Sequence, residues 1–234
     1  MRVKGGDAMT RILYEDTRLL LCEKPQGMPS QPDPSGQTSL LDTLRDTHPS
    51  VGLVHRLDTP TGGVMLFSKT PSVTGKFSAL VQDHEVFVKE YLAVLPQAPD
   101  TPEGVWEDIL FHDKIKNKSF TVSAPRKGAK AAKLSYRVLD IAPDGHALVL
   151  VRLYTGRTHQ IRVQAASRGL PLVGDGKYGS REKAPYIALW SHRIAFSHPA
   201  TNKPVQGVSL PPSDASPWSL FATALASLGT QETQ

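Results

Sequence analysis

Two short polar stretches carry the residue types that chemistry needs. The first, His55-Arg56-Leu57-Asp58-Thr59-Pro60-Thr61-Gly62-Gly63, interrupts two apolar runs, residues 51–54 before it and 64–67 after it. A carboxylate in a polar loop gripped by core, with Arg56 close by and two glycines that allow backbone to approach, suits a ligand better than packing. The same residue types also make an Asp-Thr turn cap, and types alone leave both readings open. The second stretch is Leu153-Tyr154-Thr155-Gly156-Arg157-Thr158-His159-Gln160-Ile161-Arg162-Val163-Gln164, where a strand runs into a helix rich in cations and amides. With a helix starting near Thr158, Ile161 and Ala165 share the buried side, Arg162 projects from an adjacent stripe, and Arg157, His159 and Gln160 gather around the first turn. Free amides and cations there favour phosphate oxygens, and a solvated helix start is the plainer alternative.

Several elements must position these stretches. Helices are predicted over 38–46, capped by Thr38 or Ser39; from Thr70 as cap with Pro71 at the first position and Val73, Phe77, Leu80 and Val81 on one face; over 158–168, ending at Gly169; and from Ser216 as cap with Pro217 first, along an apolar stripe of Trp218, Phe221, Leu225 and Leu228 that Gly229 ends. Strands are predicted over 13–22, 64–67, 86–95, 134–139 and 147–154. The last two form a hairpin around Pro143-Asp144-Gly145, and Leu134, Tyr136 and Val138 alternate with polar neighbours as a half-buried strand requires. Turn-rich stretches at 27–37 and 96–104 read as surface loops, not domain boundaries, and no internal repeat is present. Helices and strands intermixed with hairpins give an α+β fold.

Further ordered motifs accompany the two polar stretches: Glu23-Lys24-Pro25-Gln26-Gly27, Lys89-Glu90-Tyr91-Leu92-Ala93, Gly174-Asp175-Gly176-Lys177-Tyr178-Gly179 and Phe196-Ser197-His198-Pro199. Taken in order with His55-Arg56-Leu57-Asp58 and residues 155–163, they make the chain resemble the RluA family of pseudouridine synthases, from about Leu13 to Pro199. Ordered motifs over most of a chain are far more specific than any one short pattern.

The resemblance implies a pseudouridine synthase catalytic fold: a large, mixed, mostly antiparallel bent sheet flanked by helices, with a central RNA-binding cleft. It implies an isomerase that rearranges a flipped uridine of RNA with no metal and no cofactor. Asp58 is implied as the carboxylate nucleophile, Tyr91 as the aromatic that stacks on the uracil and assists deprotonation, and Arg162 as the cation that pairs with Asp58. A nucleophilic carboxylate has to be aimed, which a planar guanidinium does well. Arg56 is implied to fill the vacated position or hold phosphate, and Arg157, His159 and Gln160 complete the expected RNA-binding set. Extracting a base from a duplex costs a few (~2–5) kcal/mol, and an aromatic platform returns roughly 1–3 kcal/mol. The expected partner is structured ribosomal or transfer RNA with a loop uridine. A catalytically silent RNA-binding or remodelling protein of the same fold is the alternative.

The chain departs from the family pattern at Gly62, where Ser is usual, at Gln164, where His is usual, and at Trp190-Ser191, where His-Ala is common. Room for an N-terminal S4 RNA-binding domain is lacking, so residues 1–234 are expected to be one catalytic domain with a frayed tail at 229–234. Three rivals fail on context. Gly174, Gly176 and Gly179 satisfy a dinucleotide fingerprint, but Pro185 follows closely and no acidic residue lies about 20 positions on. A kinase would need a Gly-rich loop upstream and Asp-Phe-Gly downstream. His55 and Asp58 have no companion histidine at metal-ligand spacing.

Composition sets wider bounds. A formal charge of +5 with a pI near 9.3 raises the prior of a polyanionic partner without proving one. The lysine- and arginine-rich segment from Lys114 to Lys133 could follow an RNA backbone, although such runs are ordinarily solvated surface. Cys22 is the single cysteine and, among leucines, is expected to be buried on a strand. No secretory signal or membrane-spanning run is visible, so a soluble, cytoplasmic monomer is expected.

Overall fold

The computed structural model describes residues 10–231. Eleven strands join in one sheet: β1 (Ile12–Glu15), β2 (Leu19–Lys24), β3 (Gly52–Leu53), β4 (Gly62–Ser68), β5 (Val88–Leu95), β6 (Glu103–Asp113), β7 (Lys118–Val122), β8 (Ala129–Ile141), β9 (Ala147–Leu153), β10 (Leu189–Ser197) and β11 (Pro204–Val208). The helices are α1 (Leu40–Thr47), α2 (Pro71–Gln82), α3 (Gln160–Ala166) and α4 (Ala222–Gln231). Strands run in the order β1-β2-β4-β10-β5-β9-β8-β6-β7, with β3 beside β4 and β11 beside β10. Every pairing is antiparallel except β4 with β10, which meet in parallel at Gly62–Trp190 and Gly63–Ser191. The expected α+β fold with a mixed, mostly antiparallel sheet is therefore what the chain forms.

Alternation assigns the two faces. On β2, β4 and β5, Leu20, Cys22, Met65, Phe67, Tyr91, Ala93 and Leu95 share a buried cluster with Leu40, Leu41 and Leu44 of α1 and with Ile161 and Ala165 of α3. Leu19, Leu21, Val64 and Leu66 point the other way, onto Phe77 and Val81 of α2. Leu92, Val94 and Trp190 pack on Trp218, Phe221 and Leu225. Because both faces are covered, β2 and β4 read as continuous apolar runs instead of alternating ones. Cys22 is buried in β2 as expected.

Ser39 caps α1 with a full capping box to Asp42, an arrangement that contributes about 1 kcal/mol. Thr70 takes the cap position of α2, but its hydroxyl meets Ser72 and caps no amide. The single strand expected over 13–22 is two strands, because Asp16 accepts hydrogen bonds from the amides of Arg18 and Leu19 and turns the chain back on itself. The third helix is shorter than expected and begins at Gln160, since His159 at φ 55° lies in the left-handed region. Ser216 and Pro217 do not open the last helix. A 3-10 turn, Trp218–Phe221, precedes α4, and Gly229 lies inside that helix instead of ending it. Residues 229–231 belong to α4, while the remainder of the expected tail lies outside the described residues. The strands β3, β6, β7, β10 and β11 had no counterpart in the sequence reading. No helix among the described residues is long and apolar enough to cross a membrane.

Candidate active site

The loop carrying Asp58 enters β4, and its backbone is held from below by the segment that leaves β2. Lys24 is fully buried, and its ammonium donates to the carbonyls of Pro25, Met28 and Thr59 at 2.9, 2.6 and 3.1 Å. Gln26 Nε2 donates to the carbonyls of Pro60 and Ile187, the Gly27 amide to that of Thr59, and Ser30 Oγ both donates to the Leu57 carbonyl and accepts from the Leu57 amide. Asp58 closes its own turn by accepting the Thr61 amide at its carbonyl. Just beyond, Gly63 has φ 108° and no space for a Cβ, which would stand 2.7 Å from the Ser191 amide nitrogen. Only glycine serves there. His55 points inward, accepting the Leu66 amide at Nε2, and burial followed by the nearby Lys89 charge pushes its imidazole down to about 3.

From this platform the Asp58 carboxylate faces a cleft of about 730 Å³ lined by, among others, Arg56, Tyr91, Arg157, His159 and Arg162. Arg162 Nη1 donates to Asp58 Oδ2 at 2.8 Å. The same guanidinium donates through Nε and Nη2 to the two oxygens of Asp175, at 2.7 and 2.8 Å. Asp175 is 1% exposed and Asp58 29%, so one carboxylate anchors the cation and the other is available to the cleft. Burial opposes the charge on Arg162, but the Asp175 bonds and the two carboxylate charges outweigh it and raise its pKa. His159 Nε2 lies 3.5 Å from Asp58 Oδ2 on the other side. Burial lowers the His159 pKa to about 4 against the pull of Asp58, so the ring is neutral at pH 7. Tyr178 Oη accepts the Ser119 amide at 2.8 Å and lies 2.9 Å from His159 Nδ1. The ring therefore faces Tyr178 Oη with Nδ1 and Asp58 with Nε2.

The structure brings Asp58, Tyr91 and Arg162 to one cleft although they lie in three separate motifs. Tyr91 stands on β5 at the cleft wall, 8% exposed, and burial raises its hydroxyl pKa far above the ordinary value. Arg56 is exposed at the cleft rim. Arg157 lines the cleft with Nε tied to the Ala131 carbonyl at 2.9 Å. Gln160 is 3% exposed, and its amide is engaged within the protein: the oxygen accepts from Thr155 Oγ1 and the Arg157 amide, and Nε2 donates to the Lys133 carbonyl. It thereby ties the α3 entry to β8.

Sequence reasoning quoted the motifs holding Lys24, Asp175 and Tyr178 without giving these residues a task. The available signal was a charged or hydroxyl residue inside a glycine-flanked or proline-flanked motif, which becomes interpretable only when its partner is known. The departures from the family pattern also fall into place. A Cβ at Gly62 would stand 2.7 Å from Trp190 Cε3 and closer still to Cζ3. Trp190 occupies that space and donates to Ser209 Oγ at 3.0 Å, so the two departures fit each other. Gln164 donates to the Trp106 carbonyl and to Asp108, away from the cleft lining.

Comparison with known proteins shows the family to which the chain is similar. Residues 18–167 match the family model described as RNA pseudouridylate synthase. The chain is 30% identical over 194 residues to the dual-specificity RNA pseudouridine synthase RluA of Escherichia coli (strain K12), covering 81% of this chain and 87% of that protein. It is 32% identical over 230 residues to the ribosomal large subunit pseudouridine synthase D of Pseudomonas aeruginosa, covering 89% and 70%. Among solved structures, the human RNA pseudouridylate synthase domain containing 4 superimposes with a TM-score of 0.73 over 92% of this chain and 93% of that one, at 23% identity. At that identity the likeness concerns the fold.

Proposed function

The chain belongs to the RNA pseudouridylate synthase family of isomerases, and we propose that it rearranges a loop uridine of ribosomal or transfer RNA with Asp58 as nucleophile. In the reaction the bond from uracil N1 to ribose C1′ breaks and a bond from C5 to C1′ forms. C5 loses its proton and N1 gains one, so no electron or group leaves the pair.

The observation that carries the assignment is the half-open Asp58 carboxylate at 2.8 Å from Arg162, aimed into a cleft of nucleotide size. Arg162 fixes the direction of the carboxylate and is itself fixed by Asp175. Tyr91 offers its ring to the uracil, and its hydroxyl, held protonated by burial, serves as a donor until a base is generated nearby. Arg56 at the rim suits the gap left by an extruded base, and Arg157 and His159 suit the backbone and sugar on the α3 side. The names of the relatives support ribosomal or transfer RNA as substrate. We take the protein to act on such RNA as a cytoplasmic monomer and as a single catalytic domain.

Release of tritium from RNA labelled at uridine C5 tests the proposal. Wild-type protein releases tritium in multiple turnovers, and Asp58→Asn releases none while binding RNA to within about tenfold, a loss of roughly 1.4 kcal/mol. Tight RNA binding by wild type with no release over a stoichiometric excess would make the protein a silent binder and overturn the reading.

A further inference from the structure

Lys89 lies two residues before Tyr91 on β5, on the same face of the strand, and lines the same cleft. It is only 6% exposed. Its ammonium has one long hydrogen bond, 3.4 Å to the Val81 carbonyl, lies 5.7 Å from the centroid of the Phe87 ring, and has no carboxylate within ion-pair distance among the described residues. Burying a cation without a counter-charge is unfavourable, and Lys24, the other buried lysine among the described residues, is satisfied by three carbonyls. Lys89 has no such cage.

Two more groups share its wall. His84, in the turn between α2 and β5, has Nδ1 buried without a hydrogen-bond partner. Gly156 separates them from the opposite side: a Cβ there would lie 3.5 Å from Lys89 Nζ and 3.6 Å from His84 Cε1. Next to it Arg157 lines the cleft, with Nε alone committed to the Ala131 carbonyl. Burial first, then the charges of Lys89 and Arg157, lower the His84 pKa to about 4 against the opposing charge of Asp83. Burial also lowers Lys89 to about 8, so it is largely charged at pH 7.

We propose that Lys89, His84 and Arg157 form a subsite that takes one backbone phosphate of the RNA beside the uracil platform of Tyr91. The inference rests on the RNA reading above. A phosphodiester supplies the missing counter-charge to Lys89 and acceptors for the fork of Arg157, beside the Cε1–Nε2 edge of His84 that faces Gly156. The subsite would hold the extruded nucleotide by its backbone while Tyr91 holds it by its base.

The test measures binding of a fluorescein-labelled RNA stem-loop with uridines in its loop, by anisotropy, at salt between roughly 50 and 200 mM. Lys89→Met should weaken binding about tenfold and reduce the slope of log affinity against log salt by about 0.7, the contribution of one single-strand phosphate. Lys89→Gln, run beside it with thermal melting of both, must lose the same slope, so misfolding of one variant is recognised. Lys89→Met combined with Arg157→Ala should lose less than the sum of the two, because both grip one phosphate. Unchanged affinity and slope in Lys89→Met, or strict additivity with Arg157→Ala, overturns the subsite. So does loss of tritium release with binding and slope intact, which would assign Lys89 to the chemistry instead. Should wild type release no tritium while Lys89→Met still loses slope, the proposed function fails and the subsite stands.

Discussion

Arg162 bridges Asp58 and Asp175, spending Nη1 on the first at 2.8 Å and both Nε and Nη2 on the second at 2.7 and 2.8 Å. The buried end of this bridge is a two-point clamp, and its open end is a single bond. A guanidinium can do both at once because its donors lie in one rigid plane, whereas an ammonium is a point charge.

Arg162→Lys should therefore fold and bind RNA within a few-fold of wild type but lose about a hundredfold in kcat, since a misplacement of about 1 Å can cost that much. Arg162→Met leaves Asp175 buried and unpaired, so urea melts should show a loss of about 3–5 kcal/mol. If Arg162→Lys turns over as wild type does, the aiming role is wrong.

Tyr91 is the cleft aromatic on β5, and its hydroxyl is kept protonated by burial. Tyr91→Phe should keep the stacking face, changing the RNA Kd by less than about threefold, well within 1 kcal/mol. Tritium release should nevertheless fall by about a hundredfold or more, the scale of a lost proton-transfer group. Unchanged turnover would show the hydroxyl to be dispensable.

Gly62 and Trp190 test packing, not chemistry. Gly62→Ser should destabilise the protein by about 1–3 kcal/mol, because its side chain enters space held by the Trp190 ring. Adding Trp190→His, a smaller ring, should recover part of that loss, giving a coupling measurable in a double-mutant cycle. Independent, additive losses would refute the contact as the cause.

Lys24 gives a pH-dependent signature. Burial lowers its pKa from 10.5 to about 7, with the Asp58 charge opposing. Between those values the unfolded chain binds the extra proton, so Lys24's contribution to stability rises as pH increases from about 7 to 10.5. Comparing urea melts of wild type and Lys24→Met at pH 7 and pH 9.5, the difference should shift in favour of wild type at the higher pH. No shift between the two pH values would mean the carbonyls of Pro25, Met28 and Thr59 hold the ammonium charged.

The sequence by itself determined the local pieces. Ser39 with Asp42 announced a cap, Thr70-Pro71 a helix start, Pro143-Asp144-Gly145 a hairpin turn, and the apolar runs at 19–22 and 64–67 buried strands. Each depends on neighbours within a few positions, which is where capping, turn chemistry and periodicity act. Ordered motifs named the family and drew attention to Asp58, Tyr91 and Arg162. The Asp16 turn was missed because one continuous apolar-rich segment hid it. The strands β6 and β10 were missed because they carry exposed apolar or buried polar positions, such as Val105, Ser191 and His192, that break alternation.

Only the tertiary structure decided which distant groups meet. Asp58 and Arg162 are 104 positions apart, and no local rule says that Asp175 will hold the far side of that arginine. Nor does any local rule show that Lys24 ends in a cage of carbonyls while Lys89 ends without a counter-charge. Charge pairing is settled by which strand faces and loops close over one another, and in a sheet whose neighbours include β4 with β10 and β5 with β9 those encounters join residues far apart along the chain.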